Sequence, residues 1–165
     1  MRAGIALGSN LGDRAARLRE ARRHLFALHD GSGPFLCSRI YETEPQDCPP
    51  GSPAFLNASI ELHTALAPLD LLAALQRIEH QLGRPADHAF HAPRTIDLDI
   101  LYYDNLSFTL PELTLPHPRI AERPFVLQPL ADVVPTRILP GQSGTVADLL
   151  KKIPADARPS AMADF

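Results

Sequence analysis

Cysteine is scarce: Cys37 and Cys48 are the only two in 165 residues. Two thiols at that spacing build neither a zinc site nor a disulfide framework. Tryptophan is absent, and lysine occurs only at 151 and 152. Strictly apolar runs extend for only a few residues, too short to span a bilayer as a helix. The opening Met1-Arg2-Ala3-Gly4-Ile5-Ala6-Leu7-Gly8 is too short and too soon broken for a secretory leader, so a cytoplasmic setting is expected. An excess of positive charge is also missing. Sixteen lysines and arginines face nineteen acids, for a net charge of −3. No global field draws in nucleic acid, and no membrane or nucleic-acid partner is expected.

What is present describes a folded chain. Hydrophobic residues make up 45% and charged residues 21%, and the length suits one domain, 1–165, with a real core. Fourteen of the sixteen basic residues are arginine, the side chain suited to bidentate phosphate and carboxylate contacts. Arg14, Arg17, Arg19, Arg22 and Arg23 fall on one expected helix and read as a solvated face; a nucleic-acid arm is the alternative. Of seventeen prolines, ten cluster at 45–53, at 85 and 93, and at 111–124. Such clusters mark long loops, where function concentrates.

The pattern predicts a buried strand at 2–8 and a helix from an Asp13 cap to about Leu28, with Leu18, Ala21, Leu25 and Leu28 as its stripe. A second strand is expected at 35–41 and a proline-rich loop at 42–53. Residues 55–63 alternate, so a half-buried strand is expected, with Phe55, Asn57, Ser59, Glu61 and His63 on its polar face. Pro68 opens a helix that Gly83 ends. A polar loop covers 84–93, a strand 94–103, and an extended segment 110–118. Helices follow at 124–134, with Pro129 inside, and at 145–152. The last ten or so residues are expected to be loosely ordered. The order of elements predicts an α+β fold: a mostly antiparallel sheet with helices on its faces, three layers deep.

The sharpest chemical feature is Arg94-Thr95-Ile96-Asp97-Leu98-Asp99-Ile100-Leu101. On a strand, Asp97 and Asp99 share one face while Ile96, Leu98 and Ile100 share the other. Adjacent carboxylates repel unless a cation lies between them, and magnesium takes one or two carboxylates while leaving its other positions to phosphate and water. A solvated acidic face is the alternative. Arg84, Arg94, His117, Arg119 and Arg123 surround this strand. Carboxylates for a metal together with arginines suit phosphoryl transfer, where the protein positions and neutralises; each arginine singly also reads as surface charge. Gly8-Ser9-Asn10-Leu11-Gly12 stands where an anion-binding turn could lie, but without a P-loop ending it reads as a structural turn. Asp87, His88 and His91 lack diagnostic metal spacing, and Cys37 reads as core.

These residues, with others in order, carry a resemblance. Tyr41-Glu42-Thr43-Glu44-Pro45, Phe55-Leu56-Asn57-Ala58, Gln76-Arg77-Ile78-Glu79, Leu82-Gly83-Arg84, Pro93-Arg94 through Leu101, Pro116-His117-Pro118-Arg119 and Glu122-Arg123-Pro124-Phe125-Val126-Leu127 all take part. From Ala3 to about Pro135 the chain resembles the 6-hydroxymethyl-7,8-dihydropterin pyrophosphokinases of folate biosynthesis. The resemblance implies a ferredoxin-like fold and transfer of diphosphate from ATP to the pterin hydroxymethyl group, with AMP leaving. It implies two magnesium ions on Asp97 and Asp99, and catalytic arginines at Arg84 and Arg94. ATP contacts are implied at Gln76, Ile100, Thr114, His117 and Arg123, and a pterin pocket at Thr43, Pro45, Phe55, Asn57 and Phe125. Glu79 matches a family acid of open role. The chain departs from many relatives at Ala86, His91 and Ala92, in the loop over ATP. A monomer acting on small-molecule substrates is expected. A binding module without turnover, or an arginine-rich nucleic-acid binder, are the competing classes.

Overall fold

The computed structural model describes residues 1–45, 51–84 and 94–165. The central strand β1 (Arg2–Ser9) leads through a turn into α1 (Arg14–Ala27), whose first free N–H groups are met by Asp13: its carboxylate accepts from Ala16 N. Two short strands follow, β2 (Leu36–Cys37) and β3 (Ile40–Thr43), then the long β4 (Phe55–His63). Helix α2 (Pro68–Gln81) has proline in its first turn, and Gly83 beyond its end adopts φ +92°. Strand β5 (Asp97–Tyr103) returns to the sheet; β6 (Phe108–Thr109) and β7 (Thr114–Leu115) form a separate two-stranded ribbon. Helix α3 (Pro124–Val133), helix α4 (Val146–Lys152) and a last strand β8 (Ala161–Ala163) complete the described elements.

The main sheet runs β5-β1-β4-β3-β8, with β2 also on β4, and its pairings are antiparallel. One face, with Ile5, Leu7, Ile60, Leu62, Leu98 and Ile100, packs on Leu18 and Leu25 of α1 and Leu71, Leu75 and Ile78 of α2. On the other, Leu101 and Tyr102 meet Val126, Leu127 and Leu130 of α3 and Val146 and Leu149 of α4. This is the α+β, three-layer arrangement that the order of elements predicts and the ferredoxin-like fold that the resemblance implies.

Four local expectations are corrected. The strand expected at 35–41 is broken after Cys37. Ser38 N still donates to Ser59 O (2.9 Å), but the return bond is diverted: Ser38 Oγ accepts the Ser59 N–H and donates to the Arg39 carbonyl, and the Arg39 N–H goes to Asp132, so side chains interrupt the ladder there. Strand β4 is buried on both faces rather than half-buried: Asn57, Ser59 and Glu61 are covered by the α3 layer, and Glu61 accepts the Tyr102 hydroxyl beside Arg137. Strand β5 begins at Asp97, not Arg94, because residues 94 and 95 are bonded to the β1 end instead of to a strand. Ser9 Oγ donates to Thr95 O (2.6 Å), Asn10 N to Arg94 O (3.1 Å), and Arg94 N to Asn10 Oδ1 (2.7 Å). Last, the C-terminal residues expected to be loosely ordered are tied to the sheet: β8 pairs with β3, and Phe165 packs against the core.

Pro129 lies within α3 and is buried. It cannot donate to the Phe125 carbonyl, so one bond of the first turn is lost while the helix continues beyond it.

Candidate active site

The second face of the sheet is nearly bare of side chains along β1. Gly4, Ala6 and Gly8 alternate on it, and their partners across the ladders are Glu61, Ser59 and Asn57 on β4 and Tyr102, Asp99 and Asp97 on β5. Toward the Gly4 end, the Tyr102 ring fills the vacant space. Toward the Gly8 end nothing does, and a cleft of about 200 Å³ opens over Ala6 and Gly8. Its floor is this small-residue stripe. Thr43, Glu44, Phe55 and Asn57 form one wall, and Asp97, Asp99, Arg94 and Leu101 the opposite one. Above lie Phe125 and Val126 of α3, with Arg123 and His117.

The two walls differ in chemistry. On the β3–β4 side, Asn57 Nδ2 donates to Thr43 Oγ1 (2.7 Å), which fixes the amide so that its Oδ1 lies over Gly8. Phe55 stands beside it, and the Phe125 ring carries the Arg123 guanidinium 5.5 Å from its centroid. A flat ring with a donor–acceptor edge suits this end.

The β5 side is charged. Arg84 Nη1 donates to Asp97 Oδ1 and Arg94 Nη1 to Asp97 Oδ2, each at 2.6 Å. Arg84 also donates to Glu79, and Glu79 Oε1 accepts the Leu98 N–H (2.7 Å) between the two aspartates. Burial pushes the Glu79 carboxyl up to about 7, with Asp97 adding to the rise and Leu98 N–H and Arg84 opposing it. Burial and the Asp97 charge push Asp99 up to about 6, against the pull of Arg123, Arg94 and Arg84. Burial, then Arg123 and Arg119, hold His117 down to about 4, so its imidazole is neutral near pH 7; its Nδ1 accepts the Arg119 N–H (3.2 Å).

Most of the sequence-derived site residues therefore meet. Arg94, Asp97, Asp99, His117, Arg123, Thr43, Phe55, Asn57 and Phe125 line the one cleft, and Arg84 reaches it through Asp97. Four do not line it. Gln76 is on the exposed side of α2, Thr114 is in β7, and Pro45 follows the lining residue Glu44. Ile100 is buried in the core on the α1–α2 face, as β5 alternation requires. Ala86, His91 and Ala92 lie outside the described residues, as do the central part of the 42–53 loop and nearly all of the 84–93 loop. The floor was not singled out from the sequence, although its signal, Gly4-x-Ala6-x-Gly8, is there to read. The Ser9-Asn10 turn is structural, as expected, but it also holds Arg94: Asn10 grips that residue by both backbone groups and donates to Pro53 O.

Among the described residues, no group of three or more histidine, cysteine, aspartate or glutamate side chains is gathered that could hold a metal. Two carboxylates on one face remain, which suits a hard cation completing its shell with phosphate oxygens and water. Among the described residues no helix is long and apolar enough to cross a membrane.

Residues 4–135 match the model of the family described as 7,8-dihydro-6-hydroxymethylpterin-pyrophosphokinase. The chain is 45% identical over 145 residues to a mitochondrial folate synthesis bifunctional protein of Pisum sativum, covering 87% of this chain and 26% of that protein. It is 44% identical over 129 residues to a 2-amino-4-hydroxy-6-hydroxymethyldihydropteridine pyrophosphokinase of Bacillus subtilis, covering 78% and 75%. The chain thus spans about a quarter of the plant bifunctional protein and three quarters of the bacterial pyrophosphokinase. Among solved structures, the Plasmodium falciparum HPPK-DHPS wild type with pteroate superposes with a TM-score of 0.71 at 17% identity, over 98% of this chain and 47% of that one.

Proposed function

The chain belongs to the 7,8-dihydro-6-hydroxymethylpterin-pyrophosphokinase family, and from that premise we propose that it transfers diphosphate from ATP to 6-hydroxymethyl-7,8-dihydropterin in folate biosynthesis. The hydroxymethyl oxygen forms a bond to the β-phosphorus. The bond from that phosphorus to the α–β bridging oxygen breaks, AMP departs with the electron pair, and the hydroxyl proton is released. The observation that carries this reading is the division of one cleft into an aromatic, amide-bearing end and a carboxylate–arginine end, joined across a bare Gly8 floor.

In this reading the pterin ring lies against Phe55 and Phe125, and Asn57, oriented by Thr43, pairs with its polar edge. Pro45 extends that wall. Arg94 and Arg123 meet the phosphates, and Arg84 joins them on leaving Asp97. Neutral His117 donates or accepts a hydrogen bond without adding charge. Gln76, Ile100 and Thr114 would contribute to the ATP site from outside the cleft lining, Ile100 through its backbone. Asp97 and Asp99 would hold two magnesium ions, whose chemistry is to neutralise the phosphate oxygens and align attack with departure. Two carboxylates on one face, one of them pushed toward its neutral form by burial and by the charge of the other, fit a cation. A monomer in a cytoplasmic setting completes this reading.

The test is product identity. The purified chain is incubated with ATP, magnesium and the dihydropterin, and AMP is resolved from ADP. AMP formed in step with pterin diphosphate and abolished by EDTA is the expected result. ATP bound without AMP would instead make this a binding module.

A further inference from the structure

Resting on that functional reading, we infer that Asp132 and Tyr41, which touch neither substrate in it, are positioning residues for the pterin pocket. Asp132 Oδ2 accepts the Tyr41 hydroxyl (2.7 Å), the Arg39 N–H (3.1 Å) and Arg39 Nε (3.1 Å), while its Oδ1 accepts Arg39 Nη2 (3.0 Å). The carboxylate is only 19% exposed, and the Tyr41 side chain is fully buried. The Arg39 guanidinium lies 5.6 Å from the Tyr41 ring centroid, closing the group from outside.

The placement of this group gives it a function. On α3, Asp132 lies two helical turns beyond Phe125 and therefore on the same helix face, with Gln128 between them. On β3, Tyr41 is two residues from Thr43, so both point to the cleft side of the sheet, and its ladder partner on β4 is Asn57. Asn57 in turn bonds Thr43. The group thus pins the helix bearing one pocket wall to the strands bearing the other. The remaining α3 packing on the sheet, through Val126, Leu127, Leu130 and Val133, is apolar. Apolar burial holds the layers together but is non-directional, so it does not fix where along the strands the helix rests. The directional bonds to Asp132 do. The carboxylates at the other end of the cleft stand on β5, outside this linkage, and Arg123 reaches from α3 on a long, flexible side chain.

The test is Tyr41→Phe, which keeps the ring and removes the hydroxyl. Dihydropterin binding is followed by pterin fluorescence, unobscured in a chain without tryptophan, with a non-hydrolysable ATP analogue and magnesium present. The nucleotide Kd is measured separately. The expected result is a pterin Kd raised about tenfold, the factor one such bond is worth, with the nucleotide Kd changed less than about twofold. Asp132→Asn retains an acceptor for Tyr41 while losing the charged pair, so an intermediate pterin effect is expected; it also serves if Tyr41→Phe folds poorly. A lowered Tm with parental pterin affinity in both variants would overturn the inference and leave the group a purely structural tie. Equal weakening of pterin and nucleotide would overturn it as well. Failure of the parent protein itself to bind the dihydropterin would overturn the functional reading, and this inference with it.

Discussion

Gly8→Ala separates the needs of the fold from the needs of the cleft. An ideal Cβ at Gly8 would meet Asn57 Oδ1 at 3.5 Å, a Phe55 ring carbon at 3.7 Å and Asp97 Cβ at 3.9 Å, all ordinary contacts. Gly8 has no positive φ, and its pairings with Asn57 and Asp97 are regular, the one register shift of the β1–β5 ladder lying at Gly4/Ile5. The free protein therefore accepts alanine, and the stiffer unfolded chain adds about 0.4–1 kcal/mol of stability. The same methyl enters a cleft of about 200 Å³ from its floor, midway between the pterin wall and Asp97. An extra methyl group in a filled space costs about 1–3 kcal/mol, which corresponds to roughly a five- to 150-fold loss in kcat/KM. The assays are urea denaturation of the free protein and AMP release at subsaturating substrates. A variant as stable as the parent, or slightly more so, and at least fivefold slower is expected. Parental kcat/KM would refute the reasoning by showing that the substrates do not meet over Gly8. A stability loss above about 1 kcal/mol would refute the claim that the floor is vacant in the free protein. Gly4→Ala is the contrasting control, because its Cβ would fall 2.3 Å from a Tyr102 ring carbon, and there the loss appears in stability.

Asp99→Asn is expected to abolish most transfer while stabilising the free protein at pH 7.5. The folded carboxyl is raised to about 6 from 3.8, so its stabilising share is complete below about pH 4 and is lost as pH rises through 6. Denaturation curves should show the variant ahead by about 1–2 kcal/mol at pH 7.5, after discount for partial exposure, and level with the parent near pH 3.5; a variant less stable at pH 7.5 would contradict this. His117, held down to about 4, should show imidazole NMR shifts only below about pH 5, and its share of stability should fall away as pH drops from 6.5 toward 4. A midpoint near 6.5 would mean that the ring is more open to water than it stands here. Asn57→Ala should raise the pterin Kd about tenfold and leave the nucleotide Kd within about twofold, measured by the same fluorescence and nucleotide titrations; equal changes would remove Asn57 from the pterin wall.

Much of this arrangement is legible in the sequence because it depends on short-range periodicity. Alternation alone puts Asp97 and Asp99 together and sends Ile100 to the core. Pro68 and Gly83 bracket α2, and Asp13 starts α1. What escaped depends on contacts remote in the chain. The polar alternation of Asn57, Ser59 and Glu61 looks like a solvated face until α3, contributed more than sixty residues later, closes over it. The break at Ser38 depends on Ser59 and Asp132, and the late start of β5 on Ser9 and Asn10. A motif that reads locally as a turn thus serves as a clamp on a residue far along the chain. The polar or apolar sense of a single residue does not reveal a floor; the absence of side chains at Gly4, Ala6 and Gly8 gains meaning only once β4 and β5 flank β1.

The two guanidiniums on Asp97 give the cleft the character of a loaded ion exchanger. Its fixed anion already carries counter-ions in the free protein, so that carboxylate is never stripped bare of partners. A metal cation arriving alone must compete with two bonded arginines. One arriving with a polyphosphate brings the anions that those arginines prefer. On the proposed function both exchanges would proceed together, cation for guanidinium on the carboxylate and carboxylate for phosphate on the guanidinium, with charge balanced throughout. Nucleotide and metal would then be taken up as a unit, by a swap of partners rather than by the filling of an empty seat.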